Sequence, residues 1–435
     1  MRLRSVFMTL ICFSIVAGLA VRRDQAGDAP TERLPVLRTS APQFFKGNLH
    51  THSLWSDGDN FPELIADWYK THGYHFLALS DHNILSEGQK WVEADLQTGK
   101  RREALKKYLA RFGPQWVEQR TVKGKNQVRL KPLAEFRSVL EEPGRFLMIQ
   151  GEEITHRFGR NPVHMNAVHL RDVIQPVDGD SVEETIRVNQ RAFADQRKRV
   201  GRPMLLFLNH PNFGWGVRAE DFVGIEALRF FEIYNGHPGV RNYGDEWHAS
   251  CERMWDIVLS LRLGKLNLPV IYGVATDDAH RYHEFNSKNS NPGRGWIMVQ
   301  APYLTAEAIV QAMHEGRFYC STGVTLKDVR FSNGSLSVSI RPEKGVTYKT
   351  QYIATMRGTP LESEPVMKDG KPIAATARYS SDIGKIVLES DKLESSYRLT
   401  GKEWYVRARV ISSKPHPNPY RPGDVEMAWT QPVVP

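Results

Sequence analysis

Cysteine is scarce in this sequence, with three residues in 435. Cys12 lies in an apolar N-terminal stretch, which leaves Cys251 and Cys320 in the rest of the chain. Two cysteines cannot build the disulfide framework of a small secreted domain, and their spacing fits neither a zinc ribbon nor a redox pair. We therefore expect both to be buried small side chains.

The longest apolar run is too short for a comfortable membrane span. It reads VFMTLICFSIVAGLA, 15 residues that follow the positive lead MRLR. This pattern is typical of a secretory signal. We predict a signal peptide over residues 1–20 and a linker over 21–43, and hence an exported protein, periplasmic or secreted. Arg22 and Arg23 follow the expected cleavage point, so an uncleaved anchor stays open.

The chain also lacks a diffuse basic coat. Its formal net charge is +9, and residues 100–137 alone contain 12 Lys or Arg against three Glu, an excess of nine. The rest of the chain is close to neutral, so no nucleic-acid partner is indicated. We expect a small-molecule substrate and no membrane partner beyond the export signal.

Between residues 44 and 324, apolar runs that end in acid, amide or histidine alternate with helix-like segments. The runs are HFLALSDH (75–82), RFLMIQGEE (145–153), PMLLFLNH (203–210), FFEIYNGH (230–237) and PVIYGVATDDAH (269–280). Continuous apolar runs indicate strands buried on both faces, as in a parallel sheet covered by helices. The fold class is therefore α/β, a barrel or wound sheet with polar residues collected at the strand ends.

Two segments depart from this alternation. Residues 88–137 form an insertion in which EALKKYLARFG predicts a helix with one buried stripe and a basic outer face. That face is either a solvated surface or a lid that attracts anions. Residues 325–435 show strand alternation with an Asn-Gly turn in LKDVRFSNGSLSVSIR and predict a small antiparallel, sandwich-like β domain.

Five motifs contain imidazoles or carboxylates, which are ligands preferred by zinc, manganese or iron. They are HTHSLWSDG (His50, His52, Asp57), SDHN (Asp81, His82), GEEIT (Glu153) followed by His164 in VHMNAVHL, LNHPN (His210) and TDDAH (Asp278, His280). Apart from His164, each lies at the end of an apolar run. A lone HxH is a weak signal, but its repetition at strand ends predicts a metal site.

As a set, the motifs HxH…SDG, SDHN, GxE, NHP and DxH resemble the PHP family, named for polymerase and histidinol phosphatase. The resemblance covers residues 44–324 and implies a distorted seven-stranded β/α barrel that binds two or three divalent metals. It implies as ligands His50, His52, Asp57, His82, Glu153, His164, His210, Asp278 and His280. It selects Glu153 over Glu152 and Asp278 over Asp277, while His169 stays an alternative to His164.

The implied activity is hydrolysis with metal-activated water, and a centre with more metal charge than carboxylate charge favours an anionic substrate. We expect a phosphoesterase. The alternatives are a carbamate or carboxylic ester hydrolase with the same centre, or a metal-stabilised binding module. The opening GNLHTHSLWSDGD and the late DDAH are similar to an exported branch of the family that includes carbaryl-type hydrolases.

Four further residues have predicted roles near the centre. Asp81 orients an imidazole or moves a proton, or else it is a turn residue. Asn235 binds substrate or a ligand, or closes a turn. Arg281 and Arg294 are candidates for holding an anionic group, because a guanidinium suits phosphate.

Overall fold

A computed structural model describes residues 42–94 and 100–435. The predicted signal peptide and nearly all of the predicted linker lie outside these residues. The described residues belong to one compact unit, Ser40–Pro435. Within the described ranges, no helix is long and apolar enough to cross a membrane.

The first part of the chain contains the start of the main sheet and the insertion. Its elements are β1 (Gln43–Asn48), α1 (Pro62–Thr71), β2 (Phe76–Leu79), β3 (Lys90–Glu93), α2 (Lys100–Phe112), β4 (Gln119–Val122), β5 (Lys125–Leu130) and α3 (Leu133–Leu140). Helix α1 starts at Pro62, whose fixed φ suits the first helical turn, and the chain turns away at Gly73, which has a φ of +75°. The insertion contains the predicted helix, but also a three-stranded sheet, β3-β5-β4, that the sequence did not predict.

The middle of the chain supplies most of the remaining site-bearing strands. Its elements are β6 (Leu147–Phe158), β7 (Asn161–Val168), α4 (Val182–Val200), β8 (Leu205–Leu208), β9 (Phe230–Asn235), α5 (Cys251–Leu261), β10 (Tyr272–Thr276), β11 (Trp296–Ala301), α6 (Ala306–His314) and β12 (Phe318–Ser321), with a short 3-10 helix (Ala219–Asp221) and a π-helical turn (Arg262–Leu266). All five predicted strands are present. Between β6 and β7, however, the chain makes a hairpin where a helix was expected.

The last part of the chain is built from strands. They are β13 (Leu326–Ser332), β14 (Ser335–Ile340), β15 (Tyr348–Met356), β16 (Ser363–Glu364), β17 (Met367–Lys368), β18 (Lys371–Pro372), β19 (Arg378–Tyr379), β20 (Lys385–Ser390), β21 (Glu394–Arg398), β22 (Glu403–Pro415) and β23 (Val425–Thr430). The predicted Asn-Gly turn joins β13 to β14, with Asn333 and Gly334 both at positive φ.

The main sheet has the order β10-β9-β8-β7-β6-β2-β1-β11-β12-β23-β22-β15-β20. Strands β1, β2 and β6 are parallel neighbours, and so are β8, β9 and β10. Among the described strands the pairing has two ends and does not close, in contrast to the predicted barrel. The reason is that β23 pairs with the edge of β12, so strands after residue 325 continue the same sheet.

The two cysteines are where the sequence analysis expected them. Cys251 and Cys320 are free and buried. The main core lies between the sheet and the helices α4, α5 and α6, and it excludes water from the back of the strands that carry the site.

Candidate metal centre

The loop between β1 and α1 carries the first two candidate ligands. His50 and His52 follow the end of β1, and both are completely buried. The backbone of this loop pairs with the loop after β10, because His52 N–H donates to the Ala279 carbonyl and Asp278 N–H donates to the His50 carbonyl. Two motifs that are far apart in the sequence therefore lie side by side.

Asp57 lies on a tight turn of the same loop. A Cβ at Gly58 would lie 2.4 Å from the His52 carbonyl oxygen, so the turn requires glycine at this position. The turn brings Asp57 Oδ1 to 3.4 Å from His280 Nε2 and 3.5 Å from His82 Nε2. The same oxygen lies 3.7 Å from His52 Nδ1. One carboxylate and three imidazoles thus converge.

Glu153 lies at the centre of the cluster and is 1% exposed. Its Oε1 lies 2.9 Å from His164 Nδ1 and 3.4 Å from His210 Nε2. Its Oε2 lies 2.7 Å from His82 Nδ1 and 3.4 Å from His52 Nε2. A single carboxylate therefore touches imidazoles from four different motifs.

Strand geometry separates Glu153 from its neighbour Glu152. Successive side chains of β6 point to opposite faces of the sheet. Glu152 lies on the other face, where its Oε1 accepts a hydrogen bond from the Ile174 N–H at 2.7 Å. Only Glu153 faces the cluster.

The two alternatives His164 and His169 also lie in different places. His164 lies within β7, paired with β6, and faces Glu153. His169 follows the end of β7 with a φ of +66°, and its Nδ1 lies 2.7 Å from the Pro203 carbonyl oxygen. The hairpin therefore brings His164 to the cluster and turns His169 away.

Asp278 and Asp277 diverge for a related reason. Asp278 has a φ of +48°, and its Oδ1 lies 3.3 Å from both His50 Nε2 and His52 Nε2. Asp277 points elsewhere and accepts a hydrogen bond from the Tyr69 hydroxyl at 2.8 Å. The left-handed turn at Asp278 directs this carboxylate into the cluster.

All nine predicted ligands belong to one cluster of overlapping groups, and within each group the potential ligand atoms lie within 4.8 Å of one another. The groups are His52, Asp57, His82 and His280; His50, His210 and Asp278; His50, His52 and Glu153; and Glu153, His164 and His210.

The cluster contains buried polar atoms that no protein group satisfies. Within the described part of the chain, His50 Nε2 and both ring nitrogens of His52 have no hydrogen-bond partner. Burying such atoms unpaired is unfavourable. Several of these atoms lie 3.3 to 3.7 Å from the ligand atoms that face them. In a tetrahedral site with metal–ligand bonds of about 2.1 Å, two neighbouring ligand atoms lie roughly 3.4 Å apart, which is close to these distances. The residues therefore fit divalent metal ions.

The protonation states of Glu153, Asp278 and His52 suit metal binding. Burial opposes ionisation of Glu153, but His164 and other imidazoles hold the pKa of this carboxyl well below its usual range. Burial likewise opposes ionisation of Asp278, but His50 and other imidazoles hold its pKa well below the usual value. Burial and a neighbouring imidazole lower the pKa of His52 to about 3, so this ring is neutral. Anionic carboxylates and neutral imidazoles are the forms that bind metal.

Glu232 supports the cluster from behind, a role that the sequence analysis missed. It is completely buried, and its Oε1 accepts hydrogen bonds from His50 Nδ1 at 2.7 Å and from the Thr276 hydroxyl at 2.6 Å. Its Oε2 accepts from His210 N–H at 2.8 Å and from Asn235 Nδ2 at 2.9 Å. An acid inside the apolar run FFEIYN was the available signal, because a buried carboxylate requires several partners.

Asp81 holds the turn that carries Asp57. Its carboxylate accepts hydrogen bonds from Ser53 N–H and Ser53 Oγ, both at 2.8 Å, and from Ser56 Oγ at 2.6 Å. Among the described residues, no hydrogen bond joins it to an imidazole. The structure thus favours the turn interpretation, and a role in proton transfer stays a prediction.

A cavity of about 460 Å³ opens onto the cluster. Beyond seven of the candidate ligands, its wall is formed by Phe213, His237, Pro238, Arg281, Lys288, Asn289 and Ser290. Neither Phe213 nor His237 was predicted from the sequence to lie at the site. His237 closes the run FFEIYNGH, so the strand-end rule could have identified it.

The three predicted substrate-binding residues have different environments. Arg281 lines the cavity, and its predicted role in holding an anionic group stays a prediction. Asn235 instead is buried and donates to Asp278 Oδ2 at 3.1 Å, so it holds a candidate ligand and does not face substrate. Arg294 is also a correction: its guanidinium is completely buried, and Nη1 donates to the Gly236 carbonyl at 2.8 Å. Its loop folds under the cavity wall, which turns the side chain inward.

The insertion supports the first loop from outside. Trp55 is 1% exposed in a core shared with the insertion, and its Nε1 donates to the Lys131 carbonyl at 3.3 Å. The rings of Phe61 and Tyr108 stack with centroids 4.3 Å apart. No described residue of the insertion lines the cavity. The described part therefore acts as a support, and the predicted lid has no counterpart in it.

Comparisons with known proteins give likeness at the level of structure. No family model matches the sequence, and no curated protein does. One similar solved structure is a two-domain protein from Bacteroides vulgatus containing a predicted PHP-like metal-dependent phosphoesterase. It has 14% sequence identity to this chain and a TM-score of 0.38, and the alignment covers 90% of this chain and 95% of that one. Another solved structure, from Bifidobacterium adolescentis, is assigned as a metal-dependent phosphoesterase. It has 14% sequence identity and a TM-score of 0.28, and the alignment covers 54% of this chain and 87% of that one.

Proposed function

We propose that the chain is a metal-dependent hydrolase of the phosphoesterase class. The observation that carries this proposal is the convergence of nine imidazole and carboxylate side chains around buried atoms that lack protein partners. Two or three divalent ions held there, zinc, manganese or iron, would activate water for attack and stabilise charge on a phosphoryl oxygen. The motif resemblance to the PHP family points the same way, whereas the carbaryl-type branch stays a prediction.

The chain's own residues position and shield this chemistry. Glu232 accepts a hydrogen bond from His50 Nδ1, which leaves the lone pair of Nε2 directed into the cluster. Asn235 holds Asp278, and Asp81 fixes the turn that carries Asp57. Burial of the inner ligands excludes bulk water, while the half-exposed Asp57 marks the side from which substrate enters.

Charge favours a phosphoester over a neutral ester. Three divalent ions would bring +6, and the three ligand carboxylates supply −3, so the loaded centre would retain positive charge, by simple addition of formal charges. An anionic substrate is attracted to such a pocket. A carbamate or carboxylic ester is the alternative substrate. A binding module without catalysis is less consistent with a cluster that opens onto a cavity.

The wider organisation is also part of the proposal. We infer that the strands from β1 to β12 form a unit derived from a β/α barrel, and that the strands after residue 325 support it as a β domain. The apolar run at residues 6–20 supports export to the periplasm or the medium. N-terminal sequencing of the exported protein would test this, since an uncleaved Met1 in that fraction would contradict signal removal.

The activity is tested with purified protein loaded separately with zinc, manganese or iron. Each form is offered an aryl phosphate, an aryl carboxylic ester and an aryl carbamate, and bound metal is measured by elemental analysis. We expect turnover of the phosphate. Turnover of the ester or carbamate alone would replace the phosphoesterase assignment, and bound metal without any turnover would favour the binding module.

Alanine variants of two candidate ligands test whether the activity depends on the cluster. His82→Ala and Asp278→Ala should lose turnover and reduce the measured metal content. His156→Ala is the matched control, because His156 lies outside the cluster and pairs with Asp178. Full activity and full metal content in both cluster variants would remove the cluster from the mechanism.

A further inference from the structure

Two cations line the cavity wall without an ion pair to any carboxylate that the structure describes. Arg281 is half-buried and Lys288 is exposed, and both line the cavity that opens onto the metal cluster. Within residues 42–94 and 100–435, no carboxylate forms an ion pair with either side chain, although Glu284 lies in the same loop. By contrast, Arg218 pairs with Asp221, three residues further along the chain, at 2.7 Å.

The loop that carries these cations is held in one shape by its own side chains. Arg281 N–H donates to the Ser290 carbonyl at 2.9 Å, and Asn291 Nδ2 donates to the Arg281 carbonyl at 2.7 Å. Lys288 N–H donates to Asn286 Oδ1 at 2.9 Å. The backbone at both cations is therefore fixed before any ligand binds, which reduces the entropy lost on binding.

Another part of the wall is apolar. Phe213 and Pro238 line the cavity, and the Phe213 ring lies 5.1 Å from that of His210. A volume of about 460 Å³ accommodates a phosphoryl group joined to a ring with a further substituent. The cavity thus offers a reaction centre, an apolar surface and two cations.

We propose that Arg281 and Lys288 form a second anion subsite, so that the substrate class is a phosphomonoester carrying another anionic group, carboxylate or phosphate, on an apolar spacer. This inference rests on the proposed function, because the first phosphoryl group is assigned to the metal cluster. A guanidinium can bind either anion through two parallel hydrogen bonds, and a lysine adds a mobile point charge.

The test uses four substrates that share one ring. Phenyl phosphate has no second group, 4-carbamoylphenyl phosphate has a neutral one, and 4-carboxyphenyl phosphate and 1,4-phenylene bisphosphate have anionic ones. We expect KM to be lower for the two anionic substrates by roughly two- to fivefold, within the range for a partly exposed charge pair. The carboxylate and phosphate substrates show which anion the subsite prefers.

Charge-removing variants locate the effect. Arg281→Met and Lys288→Met should each reduce this KM preference, and the double variant should abolish it. Lys198→Met is the matched control, because Lys198 is an exposed lysine on α4 that lies outside the cavity, and it should keep the preference. Thermal melting of each variant verifies that it is folded.

The outcomes separate the two proposals. If the wild type cleaves all four phosphates with equal KM, or the double variant keeps the preference, the subsite is refuted and the phosphoesterase stands. If no phosphate is cleaved while metal is bound, the phosphoesterase fails. Calorimetric binding of 1,4-phenylene bisphosphate then decides the subsite: weaker binding by the double variant than by the wild type supports it, and equal affinity overturns it.

Discussion

Replacing Glu63 by glutamine should change how stability depends on pH. Glu63 lies in the first turn of α1, completely buried where the insertion packs on the main fold. Its Oε1 accepts hydrogen bonds from the Tyr108 hydroxyl and from Trp116 Nε1, whereas Oε2 has no partner among the described residues. Burial raises the pKa of this carboxyl from 4.5 to about 7, with these hydrogen bonds opposing the shift.

The size of the effect follows from the shift. Between pH 4.5 and 7 the folded chain keeps a proton that the unfolded chain releases, so stability falls as pH rises through this window. A shift of this size corresponds to about 3 kcal/mol in the free energy of unfolding, fully lost above pH 7. Glutamine cannot ionise, but its amide group would be buried near the unpaired Oε2 position at a cost of about 1–3 kcal/mol.

The assay is urea unfolding of the wild type and Glu63→Gln, followed by tryptophan fluorescence at about pH 4.5 and about pH 8. From the lower to the higher pH, the free energy of unfolding of the wild type should fall by about 3 kcal/mol more than that of the variant. This difference does not depend on how far the two proteins differ in stability at the lower pH. Glu103→Gln, at an exposed site on α2, is the control and should change stability by less than about 0.5 kcal/mol. A difference between Glu63→Gln and wild type that is the same at both pH values would refute the reasoning.

Three further predictions concern the cluster. Glu232→Gln should weaken metal binding about 10- to 100-fold, measured by chelator competition, whereas Glu152→Gln on the opposite face should not. Trp55→Ala should lower the free energy of unfolding by roughly 3–5 kcal/mol, because it removes a large side chain from the core shared with the insertion. It should also lower the metal content, because the turn that carries Asp57 loses its support. Unchanged metal content would show that this turn does not depend on the insertion. Burial lowers the pKa of His50, but the surrounding carboxylates outweigh burial and raise this pKa well above its ordinary value. Metal binding should therefore release protons, and it should weaken as pH falls. Calorimetry in two buffers of different ionisation enthalpy measures that release, and identical heats would contradict it.

The strands and their terminal side chains were predictable because both signals are local. A continuous apolar run indicates a buried strand, and a histidine or acid at its end lies at the edge where parallel strands meet. The positions of His82 and His210 follow from this rule alone. The Asn-Gly turn at residues 333 and 334 was predictable for the same reason, since its conformation depends on two residues.

The supporting residues were not predictable in this way, because their roles depend on partners distant in sequence. Arg281 and Arg294 read alike in the sequence, yet one lines the cavity and the other is buried under it. Glu232 acquires its role only when β9 lies beside the loops that carry His50 and His210. The small sheet of the insertion was missed because its short strands are mostly polar.

By itself, the sequence determined the main strands, through its apolar periodicity, and the side chains that are candidates for metal binding, through the imidazoles and carboxylates near the strand ends. The tertiary structure alone decided between His164 and His169, and it supplies the physical reason why one member of each acidic pair faces the centre. Glu153 rather than Glu152 does so because strand side chains alternate, and Asp278 rather than Asp277 because of one left-handed turn. It also decided that the sheet stays open, because β23, and not β10, pairs with the edge of β12. Long-range pairing depends on surfaces brought together by the whole fold, which no local pattern encodes.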